Sequence, residues 1–465
     1  MIQRNPFLSE SFTAIWSKHF APSEAGVRFG FLPALQFVKH RFLPLFTNVG
    51  TTMTKGIGYE VVGESIGTSK DYLKNVFLIY DVPAYFEVPS ITPDAHLALH
   101  RSRQYPGFLI EVDKFKDLTD YLLGSFSKSS RYKLKKYKKR FEASFDVRYV
   151  MYRGAMEREK YNSIFERFRQ LLEKRFDDKQ ITNNNLDPRE WQFYHEVTYP
   201  MLLKNEASLF VIYQGDEPIG VTLNFFSEDV LFDAITVFDI DYAKFHLGSI
   251  TIMALLDWCL VNNIKVFDFS KGYFDYKARW ATKGYDFEYH ILYDPKSFRA
   301  KALAYGLKQF FDLKQRLREK NVNDRLHRIT YRFKNKTPEP LETRGYTFEE
   351  LELEESTGAS PEIESGLNPD ASSRAEIDRP ASASPEIESG SGSSPSSGFT
   401  DDRSVGASHE IDLQHPENQL IRMMVFEYLY LNDGQYRDIK VYRVPKKTDQ
   451  YYIVGKTKRV LATLQ

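Results

Sequence analysis

One cysteine, Cys259, stands among 465 residues. That excludes an intramolecular disulfide framework and a multi-cysteine metal site. No run of about 18 uninterrupted apolar residues occurs, which argues against a transmembrane helix. Met1–Phe20 lacks a basic stretch followed by an apolar one, the mark of a secretory leader, so a cytoplasmic protein is expected. His195, His246 and His290 show no ligand spacing with carboxylates, and no metal is expected. An excess of charge is lacking too, since 63 Lys and Arg balance 63 Asp and Glu. Aromatics are plentiful, with 36 Phe and 29 Tyr. They supply a large core and exclude a wholly disordered chain. The length suits roughly two to four domains.

The charge balance is a sum of unequal parts. Residues 337–417 hold 19 acidic and 4 basic residues. Residues 1–336 carry an excess of 10 basic residues, and 418–465 an excess of 5. The acidic stretch is rich in Ser, Pro, Gly and Glu and has no aromatic between Ser356 and Ser397. It has too little apolar area to offset the entropy of ordering, so a disordered linker is expected over 337–417. The octapeptide ASPEIESG occurs at Ala359–Gly366 and again at Ala383–Gly390. With so few apolar residues, the repeat reads as duplicated linker rather than as a solenoid.

The basic body alternates strand and helix signals. Val76–Val82 and Phe108–Val112 read as buried strands. Lys116–Leu123 begins a helix. Ser125–Arg140 follows as a basic helix with a narrow stripe of Leu134, Tyr137 and Phe141. Tyr161, Ile164, Phe165, Phe168, Leu171, Leu172 and Phe176 recur at helical spacing. Asp187-Pro188-Arg189-Glu190 is a helix start, and Pro200 either kinks that helix or starts another. Ser208–Tyr213 and Pro218–Phe226 read as a hairpin, and Val230–Phe238 as a further strand. Ser249–Asn262 reads as a buried helix stopped by Asn262-Asn263, and Ile264–Phe269 as the next strand. Strand, helix, strand in this order is a βαβ unit, which implies a parallel or mixed sheet.

Two segments gather chemistry. Asp241–Ser249 joins a strand to a buried helix, where free N–H groups and Gly248 suit phosphate and Lys244 and His246 add positive charge. An ordinary tight turn explains the same residues. Asp268–Trp280 (DFSKGYFDYKARW) lies at the carboxyl end of a strand, where open α/β sheets place ligands. A helix start capped by Ser270 with core aromatics is the plain alternative.

The order of hairpin, long strand, HLGS loop, buried helix and DFSKGYFDYKARW resembles the GNAT N-acyltransferases, and within them the CelD-like branch. Asp268, Gly272, Tyr276-Lys277 and Trp280 carry the resemblance, with Ser127–Phe141 similar to that branch's basic segment between two GNAT-type halves. It extends over about Phe108 to Tyr289 and relates the chain to the Fem-type aminoacyltransferases. The pyrophosphate loop departs from the usual two glycines: only Gly248 stands, with Ser249 at the second small position.

The resemblance implies an α/β (α+β) fold: a GNAT-type mixed central sheet flanked by helices, built as two GNAT-like halves. The divisions expected are 1–125 as a degenerate N-terminal half and 126–336 as the acyltransferase half. The acidic disordered linker 337–417 and a small helix–hairpin tail, 418–465, follow. It implies transfer of an acyl group from acetyl-CoA or another acyl-CoA to an amine or hydroxyl. The acceptor would be a small molecule, sugar, lipid or cell-envelope precursor. Lys244, His246, Gly248 and Ser249 would hold the pyrophosphate. The Val230–Phe238 strand would offer backbone groups to the pantetheine arm, and an N–H near Val237 or Phe238 would polarise the thioester. Asp233, Asp239 or Asp268 would take the acceptor's proton. Tyr276, then Tyr273, would protonate the departing thiolate, with Lys271 and Lys277 as nearby cations. Alternatives are a Fem-type transferase using aminoacyl-tRNA and a non-catalytic scaffold.

Two basic faces remain, on Lys128–Arg140 and on Arg299–Lys334. They suit an anionic membrane surface at the inner face of a membrane, or tRNA, or plain solvent. The tail's helix, Gln419–Leu431, has either the body or another chain to dock on.

Overall fold

Alternation of apolar residues and clean end signals explain most elements. The computed structural model describes residues 4–22, 26–62, 70–87, 97–179, 186–319, 345–351, 410–456 and 458–464. Both ASPEIESG repeats, most of the 337–417 linker and the end of the basic Arg299–Lys334 region lie outside them. The described chain groups into two units, Met1–Arg344 with Gln414–Asp438, and Gly345–Leu413 with Ile439–Gln465.

In the first unit, helix α1 spans Glu10–Phe20, capped by Ser9. Strands β1 (Val27–Phe29), β2 (Leu32–Lys39), β3 (Leu45–Asn48), β4 (Val76–Pro83) and β5 (Ala98–Glu111) follow. Helices α2 (Leu118–Ser125) and α3 (Lys128–Ser144) come next, capped by Asp117 and Ser127. Strand β6 (Val147–Tyr152) leads to α4 (Arg158–Lys179) and α5 (Pro188–Leu203). Asp187 caps α5 with Pro188 in its first turn, and the helix runs on through Pro200 without a new start. The hairpin β7 (Ala207–Gln214) and β8 (Glu217–Phe226) precedes β9 (Val230–Phe238). A 3-10 turn, Ile240–Phe245, leads into α6 (Leu247–Val261). Asn262 ends α6, and Asn263 turns the chain at φ +57. Strand β10 (Val266–Lys271), the short α7 (Asp275–Trp280), β11 (Lys283–Tyr293) and α8 (Phe298–Glu319) complete the run.

These strands form one mixed sheet of order β1-β2-β3-β4-β11-β5-β10-β9-β8-β7-β6. It contains two parallel pairs, β3 with β4 and β9 with β10, each flanked by antiparallel neighbours. That is the two-half GNAT-like pattern expected. The halves interlock at the seam. Strand β5, from the first half, pairs with β10, while β11, from the second, pairs with β4. They also share a core: the Phe7 ring packs edge-on against Phe225 and Phe232 at 5.2 and 5.4 Å. Edge-on aromatic pairs of this kind contribute about 0.5–1.5 kcal/mol beyond simple burial.

The C-terminal residues divide. Helix α9 (Gln419–Leu431) groups with the first unit. Strands β12 (Tyr346–Leu351), β13 (Lys440–Arg443), β14 (Gln450–Val454) and β15 (Arg459–Leu464) form a separate antiparallel sheet, β12-β15-β14-β13. The hairpin expected in the 418–465 tail is present as β13–β14. Strand β12 falls within the stretch expected to be linker throughout. Among the described residues, no helix is long and apolar enough to cross a membrane.

Candidate active site

The site begins where two parallel strands part. Pairing of β10 with β9 runs Val266↔Val230, Phe267↔Leu231 and Asp268↔Phe232, and stops there. On its other edge β9 skips a residue against β8, with Asn224↔Asp233 but Leu223↔Ile235. The extra residue, Ala234, is a bulge. Side chains alternate faces along a strand, and one inserted residue shifts that alternation. Asp233, Thr236 and Phe238 therefore share one side of β9, and all three line a cavity.

That cavity measures about 340 Å³, a volume within the ordinary range of ligand sites. Helix α6 supplies Gly248, Ser249, Thr251, Ile252 and Leu255 to its wall. The turn before α6 supplies Ala243 and His246, and α7 supplies Tyr276, Arg279 and Trp280. Arg175 enters from α4. The lining thus combines an apolar floor with two arginines at the start of a helix, where N–H groups favour anions. Trp280 is fully buried, and its indole Nε1 has no acceptor within the protein. A buried donor of this kind normally has a partner, and a ligand carbonyl in the cavity would provide one.

His246 opens α6 in the left-handed conformation at φ +57 and stacks on Tyr137 of α3, with ring centroids 3.8 Å apart. Burial, then the nearby Arg279, lowers its pKa. Two residues on, a side chain at Gly248 would put Cβ 3.0 Å from Phe238 Cε1. A side chain there would crowd the Phe238 ring, which Arg175 covers at 4.8 Å.

Buried charge lies beneath the opening. Asp233 Oδ1 accepts from Thr236 Oγ1 at 2.8 Å, and burial raises its pKa against the pull of Lys277 and Lys55. Burial, reinforced by Asp233, raises that of the Tyr276 hydroxyl, although the residue as a whole is 41% exposed. The Lys277 ammonium donates to the carbonyls of Phe269 at 2.6 Å and Lys271 at 3.2 Å. Burial lowers its pKa to about 8, opposed by Asp233. Asp268, fully buried, accepts from the Tyr285 hydroxyl at 2.7 Å, the Tyr85 hydroxyl at 2.8 Å and the Ser270 N–H at 2.7 Å. Burial pushes its pKa up to about 6 even so.

The N-terminal half reaches this point as well, which the sequence did not disclose. Lys271 Nζ pairs with Asp81 Oδ2 of β4 at 2.7 Å, and Thr54 donates to the same oxygen. Asp81 Oδ1 is buried without a partner, and its residue sits at φ +60. Burial lowers the pKa of Lys55, whose charged neighbours are Asp81, Asp233 and Glu190. Nothing in a lone Asp within VFLIYDV marks it as part of a site.

The expected site residues therefore divide. His246, Gly248, Ser249, Phe238 and Tyr276 meet in the cavity. Val237 is buried in the core, so only its backbone is placed near the opening. Lys244 points elsewhere and pairs with Glu427 of α9 at 3.0 Å. Tyr273 is 64% exposed and packs edge-on against Phe108. Asp268 and Lys277 are buried and are not among the residues that line the cavity. Asp239 is tied into ion pairs with Lys174 and Arg167. Ser270 caps no helix: it sits at φ +61, its hydroxyl donates to the Asp233 carbonyl at 3.0 Å, and α7 starts five residues later. Arg175, Thr236 and Arg279 were missed as lining residues. Arg279 lay within the singled-out motif; Arg175 was one cation among several on an amphipathic helix. Among the described residues, no group of three or more His, Cys, Asp or Glu is placed to hold a metal.

Residues 128–278 match the family described as "Acetyltransferase (GNAT) domain". No curated protein matches the chain. Among solved structures, FemX is similar at 12% identity and TM-score 0.43, with 62% of this chain and 92% of that one covered. A conserved protein of unknown function from Bacteroides thetaiotaomicron gives 10%, 0.43, 62% and 91% in the same terms. L-PGS from Bacillus licheniformis gives 12%, 0.37, 68% and 99%. At these identities and scores the likenesses say nothing about activity. The split strands and most of the cavity's lining lie inside the segment that matches the GNAT domain family, with Arg279 and Trp280 just beyond its end.

Proposed function

We propose that the chain transfers an acyl group from acyl-CoA, acetyl-CoA being the simplest donor, to an amine or hydroxyl. The acceptor would be a small molecule or a cell-envelope precursor. The supporting observation is the cavity at the β9–β10 split, which combines the α6 start, two arginines and a tyrosine hydroxyl. The diphosphate of the donor would lie at Gly248 and Ser249, with Arg175, Arg279 and His246 around it. The pantetheine arm would run along the unpaired edge of β9, taking the hydrogen-bonding positions that β10 vacates. A backbone N–H near Val237 or Phe238 would draw charge onto the thioester oxygen, and such donors work best in a dry site.

Asp233 is the proposed base. Burial raises its pKa, and a base whose pKa lies nearer the working pH is more effective. In the reaction a bond forms between acceptor nitrogen and carbonyl carbon, and the carbon–sulfur bond breaks. The nitrogen's proton passes to Asp233, and Tyr276 gives its hydroxyl proton to the departing thiolate. The charge of Lys277 would favour the ionised form of Asp233. Asp268 and Tyr273 are not assigned a step.

Turnover of acetyl-CoA with a panel of amines, followed by free thiol release, tests the reading. Tyr276→Phe is expected to lower kcat about 100-fold while leaving coenzyme A affinity within about twofold. Asp233→Asn should lower kcat/KM similarly and remove the rise of rate with pH on the acid side. Full activity in both variants would sink these assignments. The exposed cations Lys133, Lys135 and Lys139 on α3 favour a second reading, an aminoacyl-tRNA donor. Salt-sensitive tRNA binding without coenzyme A binding would support it.

A further inference from the structure

We propose that helix α9 is a working part of the donor site: Arg422 holds the 239–246 turn in the shape that forms the cavity wall. The inference rests on reading that cavity as the acyl-CoA site. Nothing local requires α9 to pack there, because the acidic 337–417 stretch separates it in sequence from the body.

The contacts are specific. Arg422 Nε donates to Asp241 Oδ2 at 2.8 Å, and Nη2 forms an ion pair with the same oxygen at 2.7 Å. Gln419 Nε2 donates to Asp241 Oδ1 at 2.9 Å. The Asp241 side chain is 1% exposed, and its remaining cation, Lys174 at 2.8 Å, is shared with Asp239. Two buried acids in one short turn thus depend on three cations: Arg167 and Lys174 from α4, and Arg422 from α9. Aromatic contacts follow the same line. Tyr242 lies 4.6 Å from Phe426 and Phe245 5.5 Å from Tyr430, ring to ring.

The turn therefore has two faces. Asp241, Tyr242, Lys244 and Phe245 engage α9, while Ala243 and His246 line the cavity. Removing Arg422 would leave the buried Asp241 carboxylate with Lys174, which it shares with Asp239, as its remaining ion-pair partner, and an under-compensated buried charge is unfavourable. The turn would relax toward solvent, carrying His246 and the start of α6 with it. Arg422 is thus a positioning residue, not one that touches the donor.

The test uses the full chain. Coenzyme A binding by calorimetry, acetyl-CoA KM and kcat, and hydrogen exchange of amides 239–250 are measured in wild type, Arg422→Met, Arg422→Lys and Asp241→Asn/Arg422→Met. Arg422→Met should weaken coenzyme A binding and raise KM roughly tenfold, with kcat at saturation within about twofold. Exchange in 239–250 should quicken while β4 and β11 stay protected. Arg422→Lys, and removal of the under-compensated charge in the double variant, should each recover most of the loss. Unchanged exchange and unchanged affinity in Arg422→Met, whatever happens to its melting temperature, would overturn the proposal. If wild type binds no coenzyme A, the donor reading falls, and the exchange data alone decide whether α9 holds the turn.

Discussion

Asp268 shows how one buried residue can be read as catalysis or as architecture. Its position near the end of the expected Ile264–Phe269 strand suggested a base. Its carboxylate accepts from Tyr85, Tyr285 and the Ser270 amide, at the seam between the two halves. That has a pH consequence. The folded pKa is raised from 3.8 to about 6, chiefly by burial. Between those values the folded state binds more protons than the unfolded chain, so stability falls as pH rises through the window. The difference corresponds to about 3 kcal/mol at neutral pH. Denaturant melts of wild type and Asp268→Asn at pH 4 to 7 should show the wild type losing its relative stability across that range. Parallel pH profiles for the two proteins would contradict this. The residue was legible in the sequence as special, because an acid inside an apolar strand needs partners. Its partners were not, since Tyr85 and Tyr285 lie far from it along the chain.

Among the elements, β9, α6 and β10 were legible because each is an apolar run bounded by turn residues, and their order fixes a parallel pair. The bulge at Ala234 was not. No glycine marks it, yet it puts Asp233 on the same side of β9 as Thr236 and Phe238. Strand β5 was recognised only over its last residues. Its first part, ALHRSRQYPG, alternates polar side chains on a partly exposed surface and contains Pro106. Within that strand Gly107 leaves room for Tyr285, whose Cζ would lie 2.3 Å from a Cβ at this position. Gly107→Ala is expected to push Tyr285 off Asp268 and to destabilise the chain by about 1–3 kcal/mol, the usual range for overpacking. A chemical melt checks it, with Gly284→Ala as the control, because a Cβ there meets only one atom, at 4.0 Å.

Across the whole molecule the seam matters most. The sequence suggested two halves in series, but β5 and β11 cross between them, and Lys271 of the second half neutralises Asp81 of the first. Apolar runs announce strands; they do not announce which strand lies beside which. Lys271→Met should therefore cost about 3 kcal/mol by leaving Asp81 buried without its ion-pair partner. Adding Asp81→Asn should restore much of it, and an additive double variant would contradict the pairing. The zero net charge also resolves into parts, with the basic excess of residues 1–336 set partly on α3 and α8. The central claim is that the cavity at the β9–β10 split is an acyl-donor site. Calorimetric titration of wild type and Gly248→Glu with coenzyme A tests it most directly. The account predicts saturable binding to the wild type and none to the variant, whose added carboxylate would meet Phe238 and repel the diphosphate. Equal binding to both proteins, or no binding to either, would contradict it.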